Sequence, residues 1–279
     1  MSEQVAVPVE AEAVQPVEQE AQPVAPQLSQ VGSKYLLVGL SSAGKSMALI
    51  KLKDAFVFYA DTKKRFPLNM PHANIYSYRE FVSKVNGKTV NALPDKAIEY
   101  TGMQPFQDAM INKLLAYHGV NGRLPATIAF DAVTNIYKMI ADHIRITTKN
   151  VYGSQAVDIA KAMDEFLAWV ERELVGRGIN VVFLAHAVIE PETGQPIIAA
   201  TGSKTFDSTG GILGAFNYAS YLHVKDGIRL IAHKDLAFPR ACRSMLPDVL
   251  DDEDAEGFDA QAMIDDIRAF ENKQEAMVY

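Results

Sequence analysis

The sequence predicts an α/β protein with a mostly parallel central sheet, helices on its faces and β-hairpins towards its C-terminal end. Four short, almost continuously apolar runs are typical of strands buried on both faces. They lie at residues 35–38, 55–60, 126–130 and 179–185. Amphipathic stretches between these runs indicate helical, right-handed crossovers between parallel strands. Turn signals at 190–194 and 225–227 each separate two strand-like segments, as in β-hairpins.

Length and composition favour one domain with tails. The chain has 279 residues, 48% of them apolar, which is enough for a large core. No uninterrupted apolar stretch reaches the roughly 18 residues of a membrane span, and the N-terminus lacks a secretory signal pattern. The single cysteine, Cys242, rules out an intramolecular disulfide and fits a reducing compartment, so we expect a cytoplasmic protein without a membrane partner.

Charge divides the chain into three parts. Residues 1–30 hold five Glu, four Pro and no Lys or Arg, which predicts a disordered N-terminal arm. Residues 31–246 carry a net charge of +7 and form the predicted folded domain, whereas residues 247–279 carry −9 and are predicted to be an acidic tail with a short helix at 258–270. A basic domain between acidic tails fits polyanion binding, and fits equally an ordinary domain with solubilising tails.

The strongest motif is Gly39-Leu40-Ser41-Ser42-Ala43-Gly44-Lys45-Ser46, which has the spacing G-x-x-x-x-G-K-S. It lies between the first predicted strand and a predicted helix at 44–53, the context that a phosphate-binding loop requires. Gly39 and Gly44 permit backbone angles that turn successive amides towards one anion, and the helix dipole adds positive potential. Lys45 is suited to reach the β- and γ-phosphates, and the Ser46 hydroxyl is suited to bind Mg²⁺.

This motif predicts a site for a nucleoside triphosphate and Mg²⁺. The alternative is a Gly/Ser turn that binds nothing. The residues predicted to contact the nucleotide are Gly39, Ser41, Ser42, Ala43, Gly44, Lys45, Ser46 and Met47.

A second motif is the apolar run at 126–130 that ends in Asp131. This is the Walker B form, in which a buried strand delivers a carboxylate beside the phosphate-binding loop and holds Mg²⁺ through water. The alternative is that Asp131 caps the N-terminus of the next predicted helix, 133–146.

Two further catalytic candidates follow predicted strands. Asp61 follows the run at 55–60 and is a candidate to polarise the attacking water; alternatively it pairs with Lys63 or Arg65 in a loop. His186 follows the run at 179–185 and is a candidate to donate a hydrogen bond to the γ-phosphate, or it only ends the strand.

The remaining pattern predicts a short strand at 74–78, a helix at 79–85, and helices at 106–117 and 156–175. Six Gly and Ser residues between 202 and 215 predict a mobile loop.

The order of these signals resembles that of the RecA-like P-loop ATPases. The resemblance rests on Gly39–Ser46, the strand ending in Asp61, Thr127–Asp131 and Val181–His186, and it covers about residues 32–246. More narrowly, the run "VVFLAHA" followed by a hairpin and a basic, β-rich end resembles the Sak-type phage ATP-binding proteins of the AAA class, which act in single-strand annealing or recombination.

The resemblance implies a RecA-like fold, ATP with Mg²⁺, single-stranded DNA as partner, and a ring or filament of identical subunits in the host cytoplasm. It also implies a single-strand-binding protein as a partner, and a cation from one subunit that completes the site of its neighbour. The candidates for that cation are Lys225, Lys234, Arg240 and Arg243. One departure is Asp61, since many RecA-like proteins have Glu there; the shorter acid leaves the rate of hydrolysis open.

The leading hypothesis is therefore an ATP-binding and ATP-hydrolysing recombination or annealing protein. Aromatic residues that would stack on bases are Tyr76, Tyr78, Phe206 and Phe216, with core packing as the alternative. Two other hypotheses are a small-molecule phosphoryl-transfer kinase, against which the sparse and late arginines count, and a non-catalytic assembly protein switched by ATP.

Overall fold

The computed structural model describes residues 31–60, 68–77, 83–85, 88–90, 98–148, 154–199, 211–234, 237–247 and 252–275. The predictions for the N-terminal arm, for Asp61 and for most of the loop at 202–215 lie outside these residues.

The described residues form twelve strands, ten of them in one sheet. The strands are β1 (Lys34–Gly39), β2 (Ala55–Tyr59), β3 (His72–Ser77), β4 (Ser83–Val85), β5 (Lys88–Val90), β6 (Ile98–Tyr100), β7 (Thr127–Asp131), β8 (Asn180–Ile189), β9 (Pro196–Ile198), β10 (Ala219–Lys225), β11 (Ile228–Ala232) and β12 (Asp252–Asp254). The sheet order is β12-β11-β10-β1-β8-β7-β2-β3-β6, with β9 paired to β8, while β4 and β5 pair separately.

The central part of the sheet is parallel. Every pairing from β10 through β1, β8, β7, β2 and β3 to β6 is parallel, whereas β10–β11, β11–β12 and β8–β9 are antiparallel. The predicted α/β class, the mostly parallel sheet and the C-terminal antiparallel strands are therefore confirmed.

Helices cover both faces of the sheet. They are α1 (Lys45–Ala48), α2 (Met103–Asn121), α3 (Val133–Thr147), α4 (Ser154–Glu173), α5 (Gly211–Gly214) and α6 (Ala260–Glu275). Alternation along the buried strands divides the core: Leu36 and Val38 on β1 pack with residues of α2, α3 and α4, and Tyr35 and Leu37 pack on the opposite face with residues of α6.

The helix predicted at 44–53 is much shorter in the structure. It consists of the single α-helical turn α1, followed by a 3-10 turn at Leu49–Lys51. Leu49 and Leu52, three residues apart, are both buried, and this spacing matches the three-residue period of a 3-10 turn. One turn cannot cover this face of the sheet.

The C-terminal segment covers what α1 leaves open. The prediction of an acidic tail at 247–279 needs correction, because β12 pairs with β11 and α6 packs on the sheet. Its buried residues Met263, Ile264 and Ile267 follow helical spacing, and Phe258 joins them beside Tyr35. Burial of this apolar face outweighs the repulsion among the acids on the exposed face.

Other local predictions had mixed outcomes. Both hairpins are confirmed, and in the second Asp226 and Gly227 have φ of 53° and 80°, as the turn signal requires. The helix predicted at 79–85 is wrong at Ser83–Val85, which pairs with β5. The described helices include none long and apolar enough to cross a membrane.

Candidate functional site

The sheet order brings the main sequence motifs to one edge. β8 lies between β1 and β7, and the parallel register aligns Gly39 with His186 and Asp131 with Leu184. The carboxyl ends of β1 and β7 therefore lie on either side of β8, where ligands of parallel α/β sheets are usually bound.

The loop after β1 has the backbone geometry that its glycines predict. Gly44 has φ of 100° and Ser42 of 63°, both in the left-handed region. In the described part of the chain, the Ala43 amide bonds the Leu40 carbonyl at 3.2 Å, but the amides of Ser41, Ser42 and Gly44 have no hydrogen-bond partner. Three amides of one short loop are thus available to an anion.

Gly39 is required by close packing. A Cβ at this position would lie 3.2 Å from Leu222 Cβ and the Leu222 carbonyl oxygen on β10, and 3.3 Å from Lys45 Cγ. These contacts are tighter than ordinary van der Waals separation, so a larger residue would displace the loop from β10.

The Lys45 side chain lies inside the loop. Its ammonium donates hydrogen bonds to the carbonyl oxygens of Gly39 at 2.9 Å and Leu40 at 2.7 Å, and the residue is only 5% exposed. The loop's own carbonyls therefore hold the positive charge close to the unpartnered amides.

Ser46 and Asp131 are in direct contact. The Ser46 hydroxyl donates to Asp131 Oδ2 at 2.6 Å, a length typical of a hydrogen bond to a carboxylate. Asp131 is 3% exposed, whereas Ser46 is half-buried and so connects the carboxylate to the surface. The N-cap position of α3 is Ala132, and no side chain caps that helix, which counts against the capping alternative for Asp131.

The Ser46 hydroxyl and the Asp131 carboxylate are oxygen groups of the kind that can bind Mg²⁺. Mg²⁺ in nucleotide sites takes one or two carboxylates, several waters and phosphate oxygens rather than a cage of protein ligands. No group of three or more His, Cys, Asp or Glu residues that could hold a metal is present among the described residues.

The helix dipole contributes less to this site than the sequence predicts. The macrodipole depends on many aligned peptide units, and α1 has only four residues. Positive potential at the loop must therefore come mainly from its amides and from side-chain cations.

The prediction that the strand ends at His186 is wrong, because β8 continues to Ile189. It is, however, the last residue of β8 in register with β1, and beyond it the strand pairs with β9. Its amide donates to Thr134 Oγ1 at 3.3 Å and its carbonyl accepts from Ala199 at 2.7 Å. The half-buried His186 therefore lies at the same sheet edge as the loop.

Other sequence candidates are less well situated. Arg240 forms an ion pair with Glu190 of the same chain, with an N–O distance of 2.6 Å. Phe216 is fully buried against Phe183, so Phe216 cannot stack on a base. Met47 and Lys225 are exposed, and Ala43 is buried at the base of the loop.

Sequence reasoning missed Arg229 on β11. Its Nη1 lies 4.0 Å from the position of a Cβ built on Gly44. The available signal was the strand alternation itself, because Arg229 precedes the apolar Ile231 by two residues and so lies on the same face of the sheet.

In comparisons with known proteins, no family model and no curated protein matches this chain.

Proposed function

We propose that this chain is a P-loop ATPase that binds ATP with Mg²⁺ at the loop Gly39–Ser46. The observation that carries the proposal is the 2.6 Å contact between Ser46 and Asp131, residues 85 positions apart in sequence. A Gly/Ser turn that binds no ligand gives no reason for a buried carboxylate, Asp131, to lie against the Ser46 hydroxyl.

In this proposal each group has a distinct role. The amides of Ser41, Ser42 and Gly44 bind phosphate oxygens, and Lys45 adds a point charge. Ser46 and Asp131 hold Mg²⁺, which when bound neutralises charge on the phosphates. His186 and Asp61 remain candidates to position the γ-phosphate and the attacking water.

The strand arrangement supports a RecA-like core. A strand with a polar residue at the sheet edge lies between the P-loop strand and the strand that ends in Asp131. The sequence order of the motifs and their spatial order therefore agree with the resemblance.

We further propose single-stranded DNA annealing or recombination as the process that uses this ATPase, in a ring or filament of identical subunits. This part rests on the resemblance, because charge gives it little support. The acidic segment packs against the domain, and residues 31–275 together carry a net charge of −2, with 27 bases and 29 acids. Any DNA-binding surface must therefore be a local patch.

Phosphate release by the full chain tests both parts of the proposal. We expect Mg²⁺-dependent ATP turnover that single-stranded DNA stimulates, with a stimulation that falls as salt rises. The Lys45→Ala variant serves as the control for contaminating ATPases. Stimulation by a nucleoside instead of DNA would favour a small-molecule kinase, and ATP binding without turnover would favour an ATP-switched assembly protein. Absence of ATP binding would overturn the proposal.

A further inference from the structure

The hairpin β10–β11 extends over the phosphate-binding loop. Gly39, the last residue of β1, is in register with Leu222, and β10 continues for three more residues to Lys225. At about 3.3 Å per residue, the hairpin rises roughly 10 Å beyond the start of the loop.

Strand alternation directs Arg229 to the loop side of this hairpin. Leu222 pairs with Ile231, and both belong to the same core cluster as Leu49 just after α1. Val224 and Arg229 form the pair two residues further along, so their side chains lie on that same face.

The position of Arg229 is fixed while its charge is available. Its carbonyl accepts a hydrogen bond from the Ala255 amide at 2.9 Å, so the C-terminal segment holds its backbone. The residue is exposed, and within the described ranges its guanidinium makes no ion pair. Nη1 lies 4.0 Å from the Cβ position of Gly44, beside one of the three unpartnered amides.

We propose that Arg229 binds the phosphate chain of a nucleoside triphosphate held by its own subunit, as a second fixed cation beside Lys45. The inference rests on the proposed function of the loop. A planar guanidinium can donate two parallel hydrogen bonds to phosphate oxygens, which an ammonium cannot do. Because α1 is too short to supply a strong dipole, a side-chain cation at this point compensates for it.

The test measures equilibrium binding of two ligands, Mg²⁺–ATP and inorganic tripolyphosphate, to the full chain. Binding of tripolyphosphate is measured by its displacement of a fluorescent nucleotide. Arg229→Met should weaken both ligands by roughly tenfold, as expected for loss of hydrogen bonds to a charged group. Arg145→Met is the matched control: it removes the same charge from an exposed position on α3 and should leave both affinities unchanged. Equal thermal unfolding midpoints of the two variants would exclude a folding defect.

Three results would overturn the proposal, and they are distinguishable. If Arg229→Met binds both ligands like the wild type while Lys45→Ala binds both much more weakly, the loop binds triphosphate without Arg229. If Arg229→Met loses affinity for ATP but not for tripolyphosphate, the arginine contacts the nucleoside and not the phosphates. If the wild type binds neither ligand, the proposed function fails and this inference fails with it.

Discussion

Two polar clusters in this protein have similar chemistry and different surroundings. The candidate site contains a hydroxyl, a carboxylate and a cation at Ser46, Asp131 and Lys45. The second cluster is a chain from Ser220 on β10 through His233 to Glu253 on β12, with contacts of 2.6 Å and 3.1 Å. The second cluster has the groups of a nucleophilic triad, so residue types alone would favour it as a catalytic centre.

Burial and hydrogen bonding separate the two clusters. Ser220 is 1% exposed and His233 is 3% exposed, beneath the ring of Phe258. If Nε2–H donates to Glu253, Nδ1 accepts from Ser220, so Ser220, His233 and Glu253 can satisfy one another within the chain. Burial also raises the pKa of the neighbouring Tyr35 hydroxyl. At the loop Gly39–Ser46, by contrast, amides without partners face a partly open surface. Accessible donors that have no hydrogen-bond partner thus indicate a ligand site, whereas buried groups that hydrogen-bond to one another indicate a structural link.

Loss of the Lys45 ammonium should have the largest effect on ATP binding. Lys45→Ala should weaken Mg²⁺–ATP binding by roughly thirtyfold or more, because it removes a buried charge from the phosphates. Calorimetric titration measures the affinity, and a urea denaturation curve checks that the loop carbonyls of Gly39 and Leu40 do not destabilise the fold once the ammonium is gone. An unchanged affinity would show that the loop Gly39–Ser46 is a structural link like the second cluster.

Charge removal at Asp131, the proposed metal ligand, should have the next largest effect on ATP binding. Asp131→Asn keeps an acceptor for Ser46 but removes the negative charge, so we expect ATP affinity to fall roughly tenfold with Mg²⁺ and little in EDTA. Asp108→Asn, which alters an exposed carboxylate on α2 that accepts a bond from Gln104, is the matched control. An equal loss with and without Mg²⁺ would show that Asp131 supports the loop and does not bind the metal.

The sequence predicted the parts of the site that local signals specify. Apolar runs predicted β1, β7 and β8, and the Walker B form predicted that Asp131 lies beside the loop, where it accepts a hydrogen bond from Ser46. These predictions succeeded because a strand buried on both faces is visible in composition, and because glycine positions with positive φ are visible in the motif.

What the sequence did not predict depends on packing between distant segments. The periodicity of α6 was visible, but not that α1 stops after one turn and leaves a sheet face for α6 to cover. Nor did local pattern reveal that β8 continues past His186 to pair with β9. Arg229 reaches the loop only through the pairing of β10 with β1, a contact between residues far apart in the chain.

A change in the second cluster should affect stability but not nucleotide binding. Ser220→Ala leaves His233 Nδ1 without a buried partner, so the free energy of unfolding should fall by about 1–3 kcal/mol. Urea denaturation measures this change, and Thr147→Val, which removes an exposed hydroxyl near the end of α3, should cost less than about 0.5 kcal/mol. A loss of ATP affinity in Ser220→Ala would contradict the division between the two clusters.

The smallest effect is expected from a change in the ion pair between Glu190 and Arg240, because this pair lies at the surface and its two charges already neutralise each other. Hydrogen bonds from Thr193 and then Arg240 hold the pKa of Glu190 below its ordinary value. Because the folded-state pKa is lowered, the stabilising contribution is present above the ordinary carboxyl pKa and is lost as pH falls through the folded-state value. Arg240→Met should therefore raise the Glu190 pKa towards its ordinary value, which an NMR titration of the side-chain carboxyl measures.

If Arg240 instead leaves Glu190 to complete a neighbouring subunit's site, the wild-type pKa of Glu190 should rise when ATP is added. An ATP-independent pKa would assign Arg240 to the structural contacts of its own chain.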